Sequence, residues 1–325
     1  MRRTEWLKRV AVAVVVVVVI VAAAAVGATF ERQASPSTTD HSEYQPDETL
    51  SQPLDANGSL DVDNSLGGGS GKVLIDESHS NRFNLDDIAP MVRALTQAGY
   101  EVELYTGGDL ETELQGADAY VVINPAVKFR DTGNDAVKRF TDNGGRLVIL
   151  AEPTTKAITG GFISTAVGDR ESRVTSLTSQ YGLAVSTNYL YNQDRNDGNY
   201  KRLVVESAPN DELPGVRQGV FYTSAEVSGV NAQRVLVAAP GTRTGGTTQS
   251  DGRKTVAMRK GNVLVFGDST FVTTDYHNVG DNEETMAYII EFMISGEKTG
   301  LGSGNTDDGG DTDNADNESS GDTAT

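Results

Sequence analysis

Polar side chains that could bind a ligand or carry a proton stand directly after short apolar runs of the sequence. Carboxylates, hydroxyls, amides and one imidazole occur there, and such groups form directional hydrogen bonds with small polar ligands. An imidazole beside a carboxylate can also transfer protons near neutral pH. The candidate ligand-binding residues are Asp76, Ser78, His79, Asn81, Asn124, Glu152 and Asp268.

His79 and Asp268 each have two open interpretations. His79 is one of 3 histidines, and it could pair with Asp76 or Asp268 as a polar clamp or a proton carrier. The alternative is a surface histidine that only forms hydrogen bonds. Asp268 follows Gly267 and precedes Ser269, where its carboxylate could instead accept backbone N–H groups at a strand-to-loop turn.

A metal site would require two distant segments of the chain to meet. Asp76 and His79 in one segment, with Asp275 and His277 in the other, supply two carboxylates and two imidazoles, a set suited to zinc. No spacing rule brings the two segments together. The sequence therefore predicts no bound metal and no cofactor.

The sequence gives little support for a catalytic nucleophile. Cysteine is absent, which excludes a thiolate nucleophile, thiolate metal sites and disulfides. No Gly-x-Ser-x-Gly elbow follows a predicted strand. Gly267-Asp268-Ser269 resembles a hydrolase motif only superficially, because that motif follows the first strand of its domain and this one lies near the end. The glycines at 67–69 precede a strand, so they do not form a phosphate-binding turn.

Alternating strands and helices must position these residues. Several strand patterns are apolar throughout, as expected for strands covered by helices on both faces. The pattern predicts an α/β fold with a doubly wound, mainly parallel sheet, flavodoxin-like or amidotransferase-like, and ligands collect at the carboxyl ends of such strands. The strand patterns are Lys72–Asp76, Glu101–Thr106, Ala119–Asn124 and Arg146–Ala151, and the helical ones lie around Ile88–Ala98, Leu110–Leu114 and Asp135–Thr141.

Helix ends carry recognisable signals. Asp86 or Asp87 is the predicted N-cap of the first helix, Pro90 falls in its first turn and Gly99 ends it. The last helix is predicted to begin at Asp281 with a capping-box partner three residues on.

The second half of the domain is less regular. It predicts one helix within Ser164–Tyr191 and a late β-hairpin. Further strands are predicted at Arg202–Val205, Gly219–Tyr222 and Arg234–Ala238, and the hairpin strands are Thr255–Arg259 and Asn262–Phe266.

The N-terminus predicts a membrane anchor. Val10–Ala28 is an uncharged run of Val, Ala, Ile and Gly that would span about 28 Å as a helix. Basic residues in 1–9 favour a cytoplasmic N-terminus with the rest of the chain outside the cell. Cleavage as a signal peptide is the alternative, since small residues end the run. The expected localisation is the cell membrane, single-pass, with membrane lipid as a partner.

Two low-complexity segments flank the predicted domain at 72–297. Residues 29–71 predict a flexible linker and 298–325 a disordered acidic tail. Asn57 and Asn317 match the N-glycosylation pattern. The chain carries 46 acidic against 27 basic side chains, a net charge of −19. Such a surface repels nucleic acid and resembles that of a salt-adapted protein from a halophilic archaeon. The alternative is a cationic partner or substrate.

Five motifs occur in order along the predicted domain: Ile75–Phe83, Ala98–Val102, Asn143–Leu150, Val265–Ser269 and Asp281–Glu283. Together they resemble those of the "domain of unknown function 4350" family of membrane-anchored prokaryotic proteins. The resemblance implies an α/β domain similar to class I glutamine amidotransferases and to the extracytoplasmic part of gliding-motility ABC transport components. Where those amidotransferases carry a cysteine nucleophile, this chain reads Leu150-Ala151-Glu152-Pro153, so that activity is excluded.

Two functional hypotheses follow. The first is an extracytoplasmic binding or scaffolding domain without catalytic activity, which holds a small polar ligand or a loop of a protein from an envelope or transport complex. The second is a metal-assisted hydrolase acting on envelope carbohydrate through His79 and nearby carboxylates.

Overall fold

The computed structural model describes residues 53–58, 60, 71–161, 164–209, 213, 215–246 and 252–296. The predicted cytoplasmic segment 1–9, the anchor 10–28, most of the linker 29–71 and the tail 298–325 lie outside these residues. Among the helices that are described, none combines the length and the apolar composition needed to cross a bilayer.

A nine-stranded sheet forms the centre of the domain. Its strands are β1 Lys72–Asp76, β2 Glu101–Tyr105, β3 Ala119–Ile123, β4 Arg146–Leu150, β8 Arg202–Ser207, β9 Gly219–Tyr222, β11 Gln233–Ala238, β13 Thr255–Lys260 and β14 Val263–Phe266. They lie in the order β2-β1-β3-β4-β14-β13-β11-β8-β9. The first five strands in this order, from β2 to β14, run parallel, and the remaining neighbours pair antiparallel.

Helices cover both faces of the parallel half. Successive residues of β1 point to opposite faces: Val73 and Ile75 join one buried cluster, and Leu74 joins the other. The helices are α1 Ala89–Gln97, α2 Leu110–Gly116, α3 Asp131–Asp142, α4 Thr175–Thr178 and α5 Asn282–Ile294. Helices α1 and α5 pack in the first cluster, and α2 and α3 pack in the second. The prediction of a doubly wound α/β fold is therefore confirmed.

Chain order sets where a ligand crevice can form. From β1 the chain goes to β2 on one side and then to β3 on the other. The switch point of the sheet therefore lies between the carboxyl ends of β1 and β3, next to Asp76 and Asn124. The predicted late hairpin also forms, and its second strand pairs parallel to β4.

The helix predicted within Ser164–Tyr191 is present only as a short one, and most of that segment forms β-strands. Thr155–Gly161 (β5) and Ser164–Arg170 (β6) pair as a two-stranded ribbon, and Leu183–Tyr191 (β7) is the central strand of a small sheet with β10 Ala225–Gly229 and β12 Arg243–Thr244. Only the short helix α4 lies between these strands, followed by a turn of 3₁₀ helix. The ribbon exposes Ile158 and Val167, so it lacks the one-sided apolar pattern that identifies a strand.

The predicted N-cap of α1 is wrong, whereas Asp281 does occupy the N-cap position of α5, although its side chain forms no capping hydrogen bond. Ile88 occupies the cap position of α1 without a side-chain bond, while the Asp87 carboxylate accepts from the backbone and side-chain amides of Asn84. Asp281 precedes α5, but its carboxylate accepts from the backbone N–H groups of Arg217 and Gln218. Pro90 and Gly99 do lie where predicted, and Gly99 has a φ of 88°.

Part of the linker contacts the domain. The carbonyl of Asp55 accepts from the backbone N–H of Gly280 at 2.9 Å, the carbonyl of Ala56 accepts from the side chain of Asn278 at 3.2 Å, and Leu60 packs against the core. Asn57 is exposed beside these contacts, and Asn317 lies outside the described residues.

Candidate functional site

Six of the seven predicted site residues fall into two neighbouring groups, and Asn81 belongs to neither. Asp76, Ser78 and His79 form a hydrogen-bonded cluster on a cavity that we name the dyad pocket. Asn124 and Glu152 line a second cavity, the strand-end crevice, with Asp268 buried beside it. Strand order explains the division: β14 lies three strands from β1, about 14 Å at the usual spacing. The predicted pairing of His79 with Asp76 is therefore the one present.

Asp76 fixes the His79 ring. Asp76 ends β1, and its side chain is 0% exposed. The Nδ1 atom of His79 lies 3.0 Å from Oδ1 and 2.9 Å from Oδ2 of Asp76. The Ser78 hydroxyl donates to the same Oδ1 atom at 2.8 Å. Phe129 stacks on the imidazole with ring centroids 3.7 Å apart and an angle of 18°. His79 is thus held in one orientation by a carboxylate and an aromatic face.

The dyad pocket opens beside this ring with a volume of about 500 Å³. Its walls come from the loops after β1, β2 and β3 and from α2 and α3. The carbonyl of His79 accepts from the backbone N–H groups of Ala126 and Val127, both at 3.0 Å, which joins the loops after β1 and β3. Polar side chains on these walls include Ser78, His79, Asp109, Lys128, Arg130 and Asp135.

The strand-end crevice has a volume of about 330 Å³ and lies at the carboxyl ends of β3, β4 and β14. Asn124, at the end of β3, adopts a φ of 43°, and its side-chain oxygen accepts from the guanidinium of Arg82 at 3.1 Å. Arg82 also donates to the carbonyl of Glu171 at 3.0 Å. Burial, and then the charges of Arg170 and Arg173, lower the pKa of Arg82.

Glu152 and Asp268 form an acidic pair at this crevice. Glu152 accepts from the backbone N–H and the hydroxyl of Ser269 at 2.8 and 2.7 Å. Burial, and then the charge of Asp268, raise the pKa of Glu152 well above its ordinary value. Asp268 is 0% exposed, and burial raises its pKa to about 7 despite the bonds it accepts from Thr270 and Phe271.

The hydrogen bonds of Asp268 match the interpretation of a carboxylate that organises a turn. Its Oδ1 atom accepts from the backbone of Thr270 at 2.7 Å and of Phe271 at 3.2 Å. Its Oδ2 atom has no partner with hydrogen-bond geometry, although the backbone of Tyr222 lies close enough to lower the pKa. Asp268 does not line the crevice itself, so a ligand there would contact Glu152 and Ser269.

Several residues of the two cavities were not predicted. Arg82, Arg170, Lys128 and Arg130 lie on loops, on a ribbon or at a helix start, where a cation has no distinctive sequence pattern. Asn81 was predicted, but it lines neither cavity. Both polar atoms of its side chain are buried without a hydrogen-bond partner in the described part of the chain.

The four residues considered for a metal do not assemble. Nδ1 of His277 lies 3.0 Å from the carbonyl oxygen of Thr274, whereas His79 is bound to Asp76. Within the residues that the structure describes, no group of three or more His, Cys, Asp and Glu side chains is placed to hold a metal ion.

Comparison with known proteins supports the fold. No family model matches the sequence, and no curated protein matches it. The mmIFT52 N-terminal domain is similar in structure, with 15% sequence identity, a TM-score of 0.55, and coverage of 67% of this chain and 99% of that one. The likeness places the chain in a class of α/β domains with a shared core. At this identity it carries the fold alone.

Two further solved structures have lower scores. A ThuA-like protein from Bacteroides uniformis is 13% identical, with a TM-score of 0.37 and coverage of 69% of this chain and 91% of that one. A glutamine amidotransferase from Thermotoga maritima is 8% identical, with a TM-score of 0.40 and coverage of 69% and 95%.

Proposed function

We propose that this chain is a membrane-anchored, extracytoplasmic binding domain without catalytic activity, and that its strand-end crevice holds a small polar ligand with a negatively charged group. One observation carries the proposal. The guanidinium of Arg82 is half-buried on the crevice wall, and it forms no ion pair with a carboxylate among the described residues.

An unpaired, half-buried cation is costly unless a counter-charge arrives. Proteins pair charges that they remove from water, because desolvation disfavours the ionised form. Arg82 uses Nη1 for both of its hydrogen bonds, to Asn124 and to the carbonyl of Glu171. Guanidinium has five N–H donors, so donors remain for the two oxygens of a carboxylate, phosphate or sulfate.

The remaining walls suit the polar part of such a ligand. Ser269, Thr270 and Thr273 line the crevice with hydroxyl-bearing side chains. Burial raises the pKa of Glu152 and thereby favours its protonated form, and a protonated carboxyl group can donate a hydrogen bond. Arg170 adds a second positive charge on the same wall.

Ligand binding is tested by the melting temperature of the protein in inorganic phosphate, with chloride at equal ionic strength as reference. We expect phosphate to raise the melting temperature of the parent protein, because a ligand that binds only the folded state stabilises it. Arg82→Gln and Arg170→Gln should each weaken this response.

Lys138→Gln is the control. Lys138 pairs with Asp142 on α3 and does not line the crevice, so its variant should respond like the parent. An equal response of the parent, Arg82→Gln and Arg170→Gln would remove the crevice from the proposal, because the phosphate would then bind elsewhere.

The membrane part of the proposal rests on the sequence. The uncharged run at 10–28 follows basic residues, and five motifs between Ile75 and Glu283 resemble those of the membrane-anchored "domain of unknown function 4350" family. The family resemblance also suggests a protein partner in an envelope or transport complex.

Cell fractionation tests the anchor. The full chain should stay in the membrane fraction after alkaline carbonate extraction, and a protease added to intact cells should digest the domain at 72–297. A variant without residues 1–28 should leave that fraction. Full-length chain in the soluble fraction, or protection from the added protease, would contradict the predicted topology.

A further inference from the structure

The proposed function makes no use of His79, although its ring is held by a carboxylate and by an aromatic face. Asp76 holds Nδ1 through both carboxylate oxygens, and Phe129 covers one face of the ring. The backbone carbonyl of His79 is also bonded to the loop after β3. A surface histidine that only satisfies its own hydrogen bonds does not need this support.

The hydrogen bonds determine which ring nitrogen remains available. An ionised carboxylate can only accept hydrogen bonds, so the Nδ1 atom of His79 carries the proton that it shares with Asp76. In the neutral imidazole, Nε2 is then an acceptor with a lone pair. Among the described residues, no hydrogen bond to Nε2 is formed. The ring borders the dyad pocket, so a hydroxyl group in that pocket can donate to Nε2.

Two cations on the same pocket have no partner in the described part of the chain. Lys128 and Arg130 both line the dyad pocket, and neither forms an ion pair or a side-chain hydrogen bond there. The acidic residues of the pocket are mostly engaged. Glu111 accepts two bonds from Arg139, at 2.9 and 2.7 Å, and Asp109 caps α2. Asp135 is the remaining carboxylate on the wall.

We propose that the dyad pocket is a second binding site, for a hydroxylated organic anion of the size of a sugar acid. A hydroxyl group of the ligand donates to Nε2 of His79, and its carboxylate contacts Lys128 and Arg130. The cavity of about 500 Å³ lies within the usual range for small-molecule sites. A simple anion can contact Lys128 and Arg130 but has no hydroxyl group for His79. A neutral sugar has the hydroxyl group but no charge for the two cations. Only a hydroxylated anion makes both contacts.

Nitrogen NMR of the histidine rings tests the site, because the chain has 3 histidines. D-glucuronate is the probe, with D-glucose and acetate as matched ligands that lack the anion or the hydroxyls. We expect glucuronate to shift the Nε2 signal of His79 with saturation, and glucose and acetate to bind at least about tenfold more weakly. His277 is the internal control, because its Nδ1 atom faces the Thr274 carbonyl away from this pocket.

Variants locate the response. Lys128→Gln and Arg130→Gln should each reduce the affinity for glucuronate about tenfold. Lys138→Gln removes a cation that pairs with Asp142 outside the pocket, and this variant should bind like the parent. Arg82→Gln should also leave the His79 response unchanged, which separates this site from the strand-end crevice.

Three results would overturn the proposal: no shift of the His79 signal with glucuronate, an equal shift with acetate, or an unchanged affinity in both cation variants. The spectra also check the tautomer before any ligand is added. A proton found on Nε2 rather than Nδ1 in the free protein would contradict the arrangement that the proposal requires.

Discussion

Glu152 and Asp268 follow neighbouring parallel strands, β4 and β14, and the charge of Asp268 raises the pKa of Glu152. Burial contributes the larger part of the shift for each carboxyl group, and the pKa of Asp268 reaches about 7. Two carboxyl groups in such an arrangement do not ionise independently. The pair therefore holds protons in the folded protein at pH values where an unfolded chain has released them.

The pair predicts that the free energy of unfolding decreases as pH rises from about 4 to about 7. In this window the folded state binds more protons than the unfolded state, because the pKa of Asp268 rises from 3.8 to about 7 on folding. The stabilising contribution is complete below the lower pKa and is lost as pH rises through the upper one. One proton corresponds to a slope of at most about 1.4 kcal/mol per pH unit.

Asp268→Asn isolates this effect in urea unfolding at a series of pH values. The variant cannot ionise at this position, so we expect its stability relative to the parent to increase across the window. Asp131→Asn removes an exposed carboxylate from α3 and serves as the control for the loss of one acidic side chain. A constant difference between Asp268→Asn and the parent would show that Asp268 does not bind an extra proton in the folded state.

Gly267 positions the acidic pair through a close backbone contact. A Cβ atom at Gly267 would lie 2.1 Å from the carbonyl oxygen of Ala225, far inside van der Waals contact. The backbone N–H of Ala225 also donates to the carbonyl of Gly267 at 2.7 Å. We expect Gly267→Ala to lower the free energy of unfolding by about 1 to 3 kcal/mol or more. Gly168→Ala on the β5–β6 ribbon is the control, since its Cβ meets no atom within 4 Å.

The parallel half of the fold could be predicted because its strands are buried on both faces. Val121, Val148 and Ile149 belong to such continuous apolar runs, and those runs identify the strands without tertiary information. The β5–β6 ribbon exposes the apolar side chains of Ile158 and Val167, so burial does not impose the same continuous apolar pattern on it. Asp87 and Asp281 show a further limit: each lies where a cap is expected, but a competing backbone N–H binds its carboxylate.

The candidate site was predictable only as a set of strand ends. Polar residues after strands identify where a ligand can reach the sheet, and Asp76 and Asn124 do flank its switch point. Strand order, which separates Asp268 from His79, depends on long-range pairing that the local pattern does not contain. In the sequence, Arg82 and Arg130 cannot be distinguished from arginines that only contact solvent. Their positions on the cavity walls are visible only in the folded structure.

The high negative charge predicts that salt stabilises the protein. A net charge of −19 makes the folded state repel itself, and salt screens that repulsion. We expect the melting temperature to rise between about 0.1 M and about 1 M KCl, as the screening length falls from about 10 to about 3 Å. Repeating the titration near pH 4, where many carboxylates are protonated, should give a smaller rise. A melting temperature independent of KCl at pH 7 would argue against a salt-adapted surface.

Asn282 joins the last helix to the antiparallel half of the sheet. Its side chain is 0% exposed; the oxygen accepts from the backbone N–H of Val220 at 2.8 Å, and the nitrogen donates to the carbonyls of Val220 and Tyr276 at 2.9 and 2.8 Å. Asn282→Ala leaves these buried groups without partners, so we expect a loss of about 2 to 4 kcal/mol in the free energy of unfolding. Asn143→Ala, at an exposed asparagine after α3, should change it by less than about 1 kcal/mol. Equal effects of the two substitutions in urea unfolding would show that the side chain of Asn282 does not hold α5 against β9.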